Sequence, residues 1–103
     1  MKFINLTPHN IRLNDGRIFE PSGVVARVST SFTEFKNDIS KLIYGDVINL
    51  PSIIDDNIVY IVSALVLSAL NGYRPDVVAP ATGHPDCIRD SNGYIVSVPG
   101  FVH

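Results

Sequence analysis

Cysteine is nearly missing from this sequence: Cys87 is the single one in 103 residues. That excludes a disulfide framework and a CxxC metal knuckle, and it fits a cytosolic protein. Tryptophan is absent, and charged residues are scarce at 17%, with a formal net charge of −2. A duplex nucleic-acid binder needs a basic face, so that class is excluded too; a few arginines converging on one small anion are not. No apolar run is long enough to span a bilayer. The longest, Ile58 to Leu70, is interrupted by Tyr60, Ser63 and Ser68. No signal peptide is expected, because Met1-Lys2-Phe3-Ile4-Asn5 leads directly into a strand pattern. Internal repeats, low-complexity tracts, a Gly-rich phosphate loop and a GxSxG elbow are also lacking.

What the chain does have is apolar material, 46% of its residues. A chain of this length reads as one domain, 1–103, and buries only about two-thirds of its unfolded surface. The surplus points to a homo-oligomer.

The stretch Tyr60 to Pro80 organises the rest. Tyr60-Ile61-Val62 are β-formers, Ser63 is a suitable N-cap, and Ala64 to Leu70 contains neither Pro nor Gly. Asn71-Gly72 closes the helix, since both residues tolerate the left-handed conformation. Tyr73-Arg74-Pro75 turns the chain, and Asp76 to Ala79 leaves as a strand. The helix carries no charged face, and a helix apolar all round must be covered all round. A second subunit or a second layer of the same chain is expected over it; a central core helix in a monomer is the plainer alternative.

Upstream, the pattern predicts strands at Lys2–Leu6, Ile11–Leu13, Arg17–Glu20 and Val24–Ser29, joined by turns at Thr7–Asn10, Asn14–Gly16 and Pro21–Gly23. This reads as an N-terminal β-meander. Ser31 to Gly45 fits a short amphipathic helix or an excursion between strands, with strand or loop preferred. Val47–Leu50 reads as a strand and Ser52–Asn57 as a linker loop holding Asp55 and Asp56. A final hairpin, Cys87–Asp90 with Tyr94–Val98, turns at Ser91-Asn92-Gly93. The expected class is α+β: a small antiparallel sheet, from the meander and the C-terminal hairpin, packed on one apolar helix in an oligomer.

Catalytic groupings are hard to find. His9, His84 and His103 lie far apart in sequence. His84-Pro85-Asp86-Cys87 brings together three potential ligands, but a mononuclear site needs about four and no partners suggest themselves, so a connecting loop is the expectation. A metal-dependent hydrolase built on those residues is set aside. Cys87 in an alternating strand reads as a small core residue. The arginines carry more: Arg27, Arg74 and Arg89 each sit near a strand end beside a turn, and a guanidinium fork suits phosphate or carboxylate. Surface or intramolecular Arg–Asp pairs are the competing reading, with Asp76 near Arg74 and Asp90 next to Arg89, and for Arg74 the two readings stand level. Arg12 and Arg17 read as residues flanking a hairpin. Tyr60, Tyr73 and Tyr94 can stack on a base or simply pack.

Phe3-Ile4-Asn5-Leu6-Thr7-Pro8-His9, Glu20 to Arg27 (EPSGVVAR), Tyr60-Ile61-Val62-Ser63, Arg74-Pro75-Asp76-Val77 and Ile88 to Val96 (IRDSNGYIV) occur in that order. The set, nearly end to end, resembles a family of small phage and prophage proteins, the Thoeris anti-defence sponges of the first type. The resemblance implies a non-enzymatic role without a cofactor or metal in the cytoplasm of the bacterial host. Such proteins sequester a cyclic ADP-ribose isomer made by an immune TIR enzyme. They form homodimers that assemble into hexamers, and some hold cyclic oligonucleotides at separate sites. Carried over by position, Arg89 is implied as the diphosphate contact, Tyr60 as the platform for adenine and Asn71 as a partner for a base edge or ribose. Arg74 and Arg27 are further anion candidates. For another basic residue between Arg27 and Tyr60, the sequence offers Lys36 and Lys41. A cleft between two copies would enclose the ligand. The rival class is a phage accessory or inhibitor that works by protein–protein binding with no small ligand.

Overall fold

A computed structural model describes residues 1–53 and 57–103; residues 54–56, inside the loop expected at Ser52–Asn57, lie outside it. In chain order the elements are β1 (Lys2–Asn5), β2 (Ile11–Arg12), β3 (Ile18–Phe19), β4 (Arg27–Phe32), β5 (Leu42–Ile48), β6 (Ile58–Ile61), α1 (Ala64–Leu70), β7 (Val77–Pro80), β8 (Ile88–Arg89), β9 (Ile95–Ser97) and β10 (Phe101–Val102). The fold is α+β, mostly strands, with several small antiparallel sheets and one short helix.

The helix lies where its caps place it. Ser63 Oγ accepts from the Val66 N–H at 3.3 Å, and Asn71 turns left-handed at φ 49° to end it. The 14 residues from Val62 through Pro75 return the chain to the end of the sheet from which β6 started. β7 therefore runs parallel to β6, with Tyr60 opposite Val77. β1 pairs parallel to β6 on its other side, Lys2 opposite Ile58 through Asn5 opposite Ile61, and β10 closes the sheet antiparallel to β7. The order is β1-β6-β7-β10.

This corrects the antiparallel meander. β2 and β3 do form the expected hairpin, and β8 and β9 the final one, but each stands as its own two-stranded sheet. β3 does not turn back onto β4. The Ser22 N–H donates to Asn5 O and the Ala26 N–H to Leu6 O, so the Pro21–Ala26 segment runs along β1 instead. The segment 31–45 is a strand excursion: β4 pairs antiparallel with β5 around a tight turn at Asn37 and Asp38, both left-handed.

The four-stranded sheet is covered on both faces. Leu6, Tyr60, Val62 and Val77 pack on one side against Val66 of α1 and Val28 of β4. Ile61 packs on the other with Ile11, Leu13 and Val98, beside the mutually packed rings of Phe3, Phe19 and Phe101, 5.1 to 5.6 Å apart. Cys87 is partly buried against this second cluster, as its strand position implied. Within one chain the helix is covered on one side only: Val66 is buried, while Leu65 stays half exposed. The radius of gyration, 15.6 Å, exceeds the roughly 13 Å of a compact chain this long. The outer part of the β4–β5 hairpin is an arm in which nearly every residue from Thr30 to Asp46 is exposed.

Candidate functional site

Three parallel strands, β1, β6 and β7, release their chains at the same end of the sheet. Open α/β sheets bind ligands outside the carboxyl ends of their strands, and a cavity of about 480 Å³ lies there. Its floor comes from the residues that follow those strands: Thr7 to Asn10, Ser63 with Ala64, and Pro80 with Thr82. Its remaining wall is Ile11 and Arg12 of the β2 hairpin and Ile95 to Val98 along β9. The volume falls within the range of small-molecule sites, and the balance of apolar wall with a few polar groups is typical of them.

Both walls are held firmly. Asn5, buried at the end of β1, ties down the turn that follows. Its Nδ2 donates to the carbonyls of His9 (2.8 Å) and Phe19 (2.9 Å), while its Oδ1 accepts from Thr7 N (2.9 Å) and Thr7 Oγ1 (2.7 Å). On the opposite wall the Val98 N–H donates to Arg12 O, and the Asn14 N–H to Val98 O. Ser97 Oγ donates to Asn14 Oδ1 at 2.6 Å, and Asn14 Nδ2 donates to Asp86 O. A wall fixed in this way needs little reordering when a ligand enters.

The cavity carries a single formal positive charge, from Arg12, in a chain of net charge −2. Its lining holds Arg12 and His9 and, among the described residues, no carboxylate. Arg12 makes no ion pair with any described carboxylate. Arg89 sits at the margin: its Nη2 donates to the carbonyl of Thr82, a lining residue, at 3.3 Å, and its Nη1 to Gly93 O at 3.0 Å. It too is unpaired among the described carboxylates and remains exposed.

Of the five residues singled out for ligand binding, Arg89 alone borders this cavity. Tyr60 does not line it. Its ring is 3% exposed, inside the cluster with Leu6, Val66 and Val77, so a single chain presents no face of it to a base. Arg74 is engaged elsewhere: Nε and Nη2 both bond the Asp76 carboxylate at 2.9 Å, with the two side chains only 17% and 14% exposed. The Arg74 fork holds the Asp76 carboxyl below its ordinary range, and Asp76 in turn holds the Arg74 guanidinium more firmly charged. This is the intramolecular pair of the competing reading. Asn71 caps α1 at the end away from Ser63 and Ala64, about 10 Å along a helix of this length. Arg27 begins β4, exposed, and does not line the cavity.

Sequence reasoning did not single out Arg12 and His9, which line the cavity. Arg12 reads as an outward residue of a hairpin strand, and it is exposed; only the parallel pairing of β1, β6 and β7 places a cavity beside it. His84 in the HPDC loop is exposed, with Nδ1 accepting from the Asp86 N–H at 3.0 Å. No group of three metal-ligating side chains gathers there or elsewhere among the described residues. No helix is long and apolar enough to cross a membrane. Comparison with protein-family models, with curated proteins and with solved structures gave no match.

Proposed function

We propose that this chain captures a small anionic nucleotide in the cavity at the strand ends and holds it unaltered, acting as a phage anti-defence sponge in the bacterial host cytoplasm. The guest implied by the resemblance is a cyclic ADP-ribose isomer, with cyclic oligonucleotides as a further possibility of the same chemistry. One observation carries the reading: an apolar-walled cavity with Arg12 in its lining, Arg89 at its margin and no described carboxylate to neutralise either. Ile11, Ile95 and Val96 suit the flat, weakly polar parts of a nucleotide. A guanidinium fork suits its diphosphate, which is costly to bury without paired donors.

The test is to heat-denature the purified protein and identify what it releases by mass spectrometry, then to titrate cyclic ADP-ribose isomers calorimetrically. An intact nucleotide in the released fraction is expected. Each charge-assisted contact is worth about 1.5–3 kcal/mol, so Arg12→Ala and Arg89→Ala should each weaken binding by about 10- to 100-fold. Parent protein that releases no nucleotide and binds none would overturn the proposal. The rival, protein–protein binding without a small ligand, draws its support from a different observation, the exposed apolar side chains of the β4–β5 arm.

A further inference from the structure

Asparagine is followed by glycine twice in this chain, at Asn71-Gly72 and at Asn92-Gly93. Such a pair is chemically labile. Glycine has no side chain to shield its N–H, and it leaves the backbone free to bring that nitrogen onto the asparagine amide carbon. All four residues are exposed, yet the folded chain does not treat the two pairs alike. Asn92-Gly93 is the tip of the β8–β9 hairpin and is held from several sides. The Gly93 N–H, whose nitrogen would attack, donates to Asp90 O at 3.0 Å. Asp90 Oδ1 accepts from the Asn92 N–H at 2.9 Å and from the Tyr94 N–H at 3.0 Å. The Asp90 N–H donates to Tyr94 O at 2.9 Å, and Arg89 Nη1 to Gly93 O at 3.0 Å. Asn71-Gly72 is held only by the end of α1. The Asn71 N–H donates to Ser68 O at 3.2 Å and the Tyr73 N–H to Leu70 O at 3.0 Å. Between them, the Gly72 N–H meets no acceptor among the described residues. The helix that this pair closes is 7 residues long, and the ends of so short a helix open readily.

We propose that Asn71 is a self-modification site, converted by attack of the Gly72 nitrogen to aspartate and isoaspartate while Asn92 is spared. The Gly72 nitrogen loses its proton to solvent and bonds to Asn71 Cγ. The side-chain nitrogen takes a proton from water and leaves as ammonia, and a succinimide ring remains. Water then opens the ring. Opening at Cγ gives aspartate; opening at the main-chain carbonyl gives isoaspartate, whose main chain runs through Cβ. Nothing is oxidised or reduced, and water is the one co-reactant. Attack requires Asn71 to leave its left-handed setting of φ 49° and ψ 40°, so the rate follows how often each turn opens. Among the described residues, opening Asn71-Gly72 breaks two hydrogen bonds and opening Asn92-Gly93 breaks five. Both products add a negative charge at the C-terminal end of α1, where the last turn holds no basic residue to offset it. Isoaspartate also lengthens the main chain just where the Asn71 and Tyr73 N–H groups reach back to the helix. Conversion therefore loosens the end of α1. It needs no partner, and it does not depend on the cavity or its guest.

The test is to hold the folded full chain for weeks at mildly alkaline pH and to locate converted asparagines by peptide mapping with fragmentation mass spectrometry. A parallel sample in urea gives the rates without structure, which should be similar at the two sites. In the folded chain Asn71 should convert about tenfold faster than Asn92 or more, because the hairpin holds its pair with the larger set of hydrogen bonds. Chains converted at Asn71 should elute as a more acidic species on ion exchange and unfold at a lower denaturant concentration than the parent. Asn71→Gly, which suits a left-handed position, should lack that acidic species. Asn92 converting as fast as Asn71 in the folded chain overturns the proposal, and so does an Asn71 that keeps its amide there. Converted chains that unfold at the parent's midpoint overturn the loosening of α1.

Discussion

A buried side-chain amide has two donors and two acceptor positions to satisfy, and Asn5 satisfies all four within one turn of chain and the neighbouring hairpin. Loss of the side chain would leave Phe19 O and the Thr7 N–H without their side-chain partner, and His9 O with the Thr7 hydroxyl alone. Asn5→Ala should therefore cost about 2–4 kcal/mol in denaturant unfolding, and it should weaken ligand binding as well, since Thr7 to Asn10 would lose their anchor. The Arg74–Asp76 pair makes a second residue-scale prediction. Asp76 is depressed in the folded chain chiefly by its hydrogen bonds to Arg74. A depressed folded value means that the pair's contribution is complete above the ordinary aspartate value of 3.8 and is lost as pH falls through the lower folded value. Asp76→Asn should flatten that acid limb of a stability-versus-pH curve. A limb unchanged by the substitution would show that other carboxylates produce it.

Elements with local signals were legible in the sequence. Ser63 and Asn71 marked both ends of α1, and Asn14-Asp15-Gly16 and Asn92-Gly93 marked two hairpins, because caps and tight turns are set by residues adjacent in the chain. The tight turn at Asn37-Asp38 was harder to see. Asn and Asp tolerate positive φ less freely than Gly, and the flanking Phe35 and Ile39 also suit an amphipathic helix. Gly45 was likewise silent. It lies against the irregular pairing between Val28 and Thr30, where a Cβ would come 2.5 Å from Ser29 Oγ. Strand direction was the largest omission. Tyr60 to Pro80 was read correctly as strand, helix and strand, yet the ligand-sized space at the carboxyl end of its parallel pair is completed by β1, whose residues lie 56 positions earlier than their partners in β6. Arg12 reads in the sequence as a solvated hairpin residue although it lines that space, and within one chain Tyr60 packs in the core, Arg74 pairs with Asp76 and Asn71 caps the helix.

At the scale of the whole molecule the cavity and the arm are separate devices, and they can be separated by experiment. The resemblance implies a ligand held in a cleft between two copies. The cavity described here is walled by one chain, with Thr7 to Arg12, Ser63, Thr82 and Ile95 to Val98 all supplied in cis. If that cavity is the site, the exposed arm supplies no residue to it. Phe35→Glu with Ile39→Glu should then leave binding of a cyclic ADP-ribose isomer within about threefold of the parent, a difference under 1 kcal/mol. A bulky plug in the lining, Ala64→Leu, should abolish binding while leaving the mass of the assembly unchanged. The opposite pattern, arm variants that no longer bind and plugged chains that still do, would move the ligand out of this cavity. Arg27 and Asn71 would then return as candidates, being exposed and absent from the cavity of a single chain.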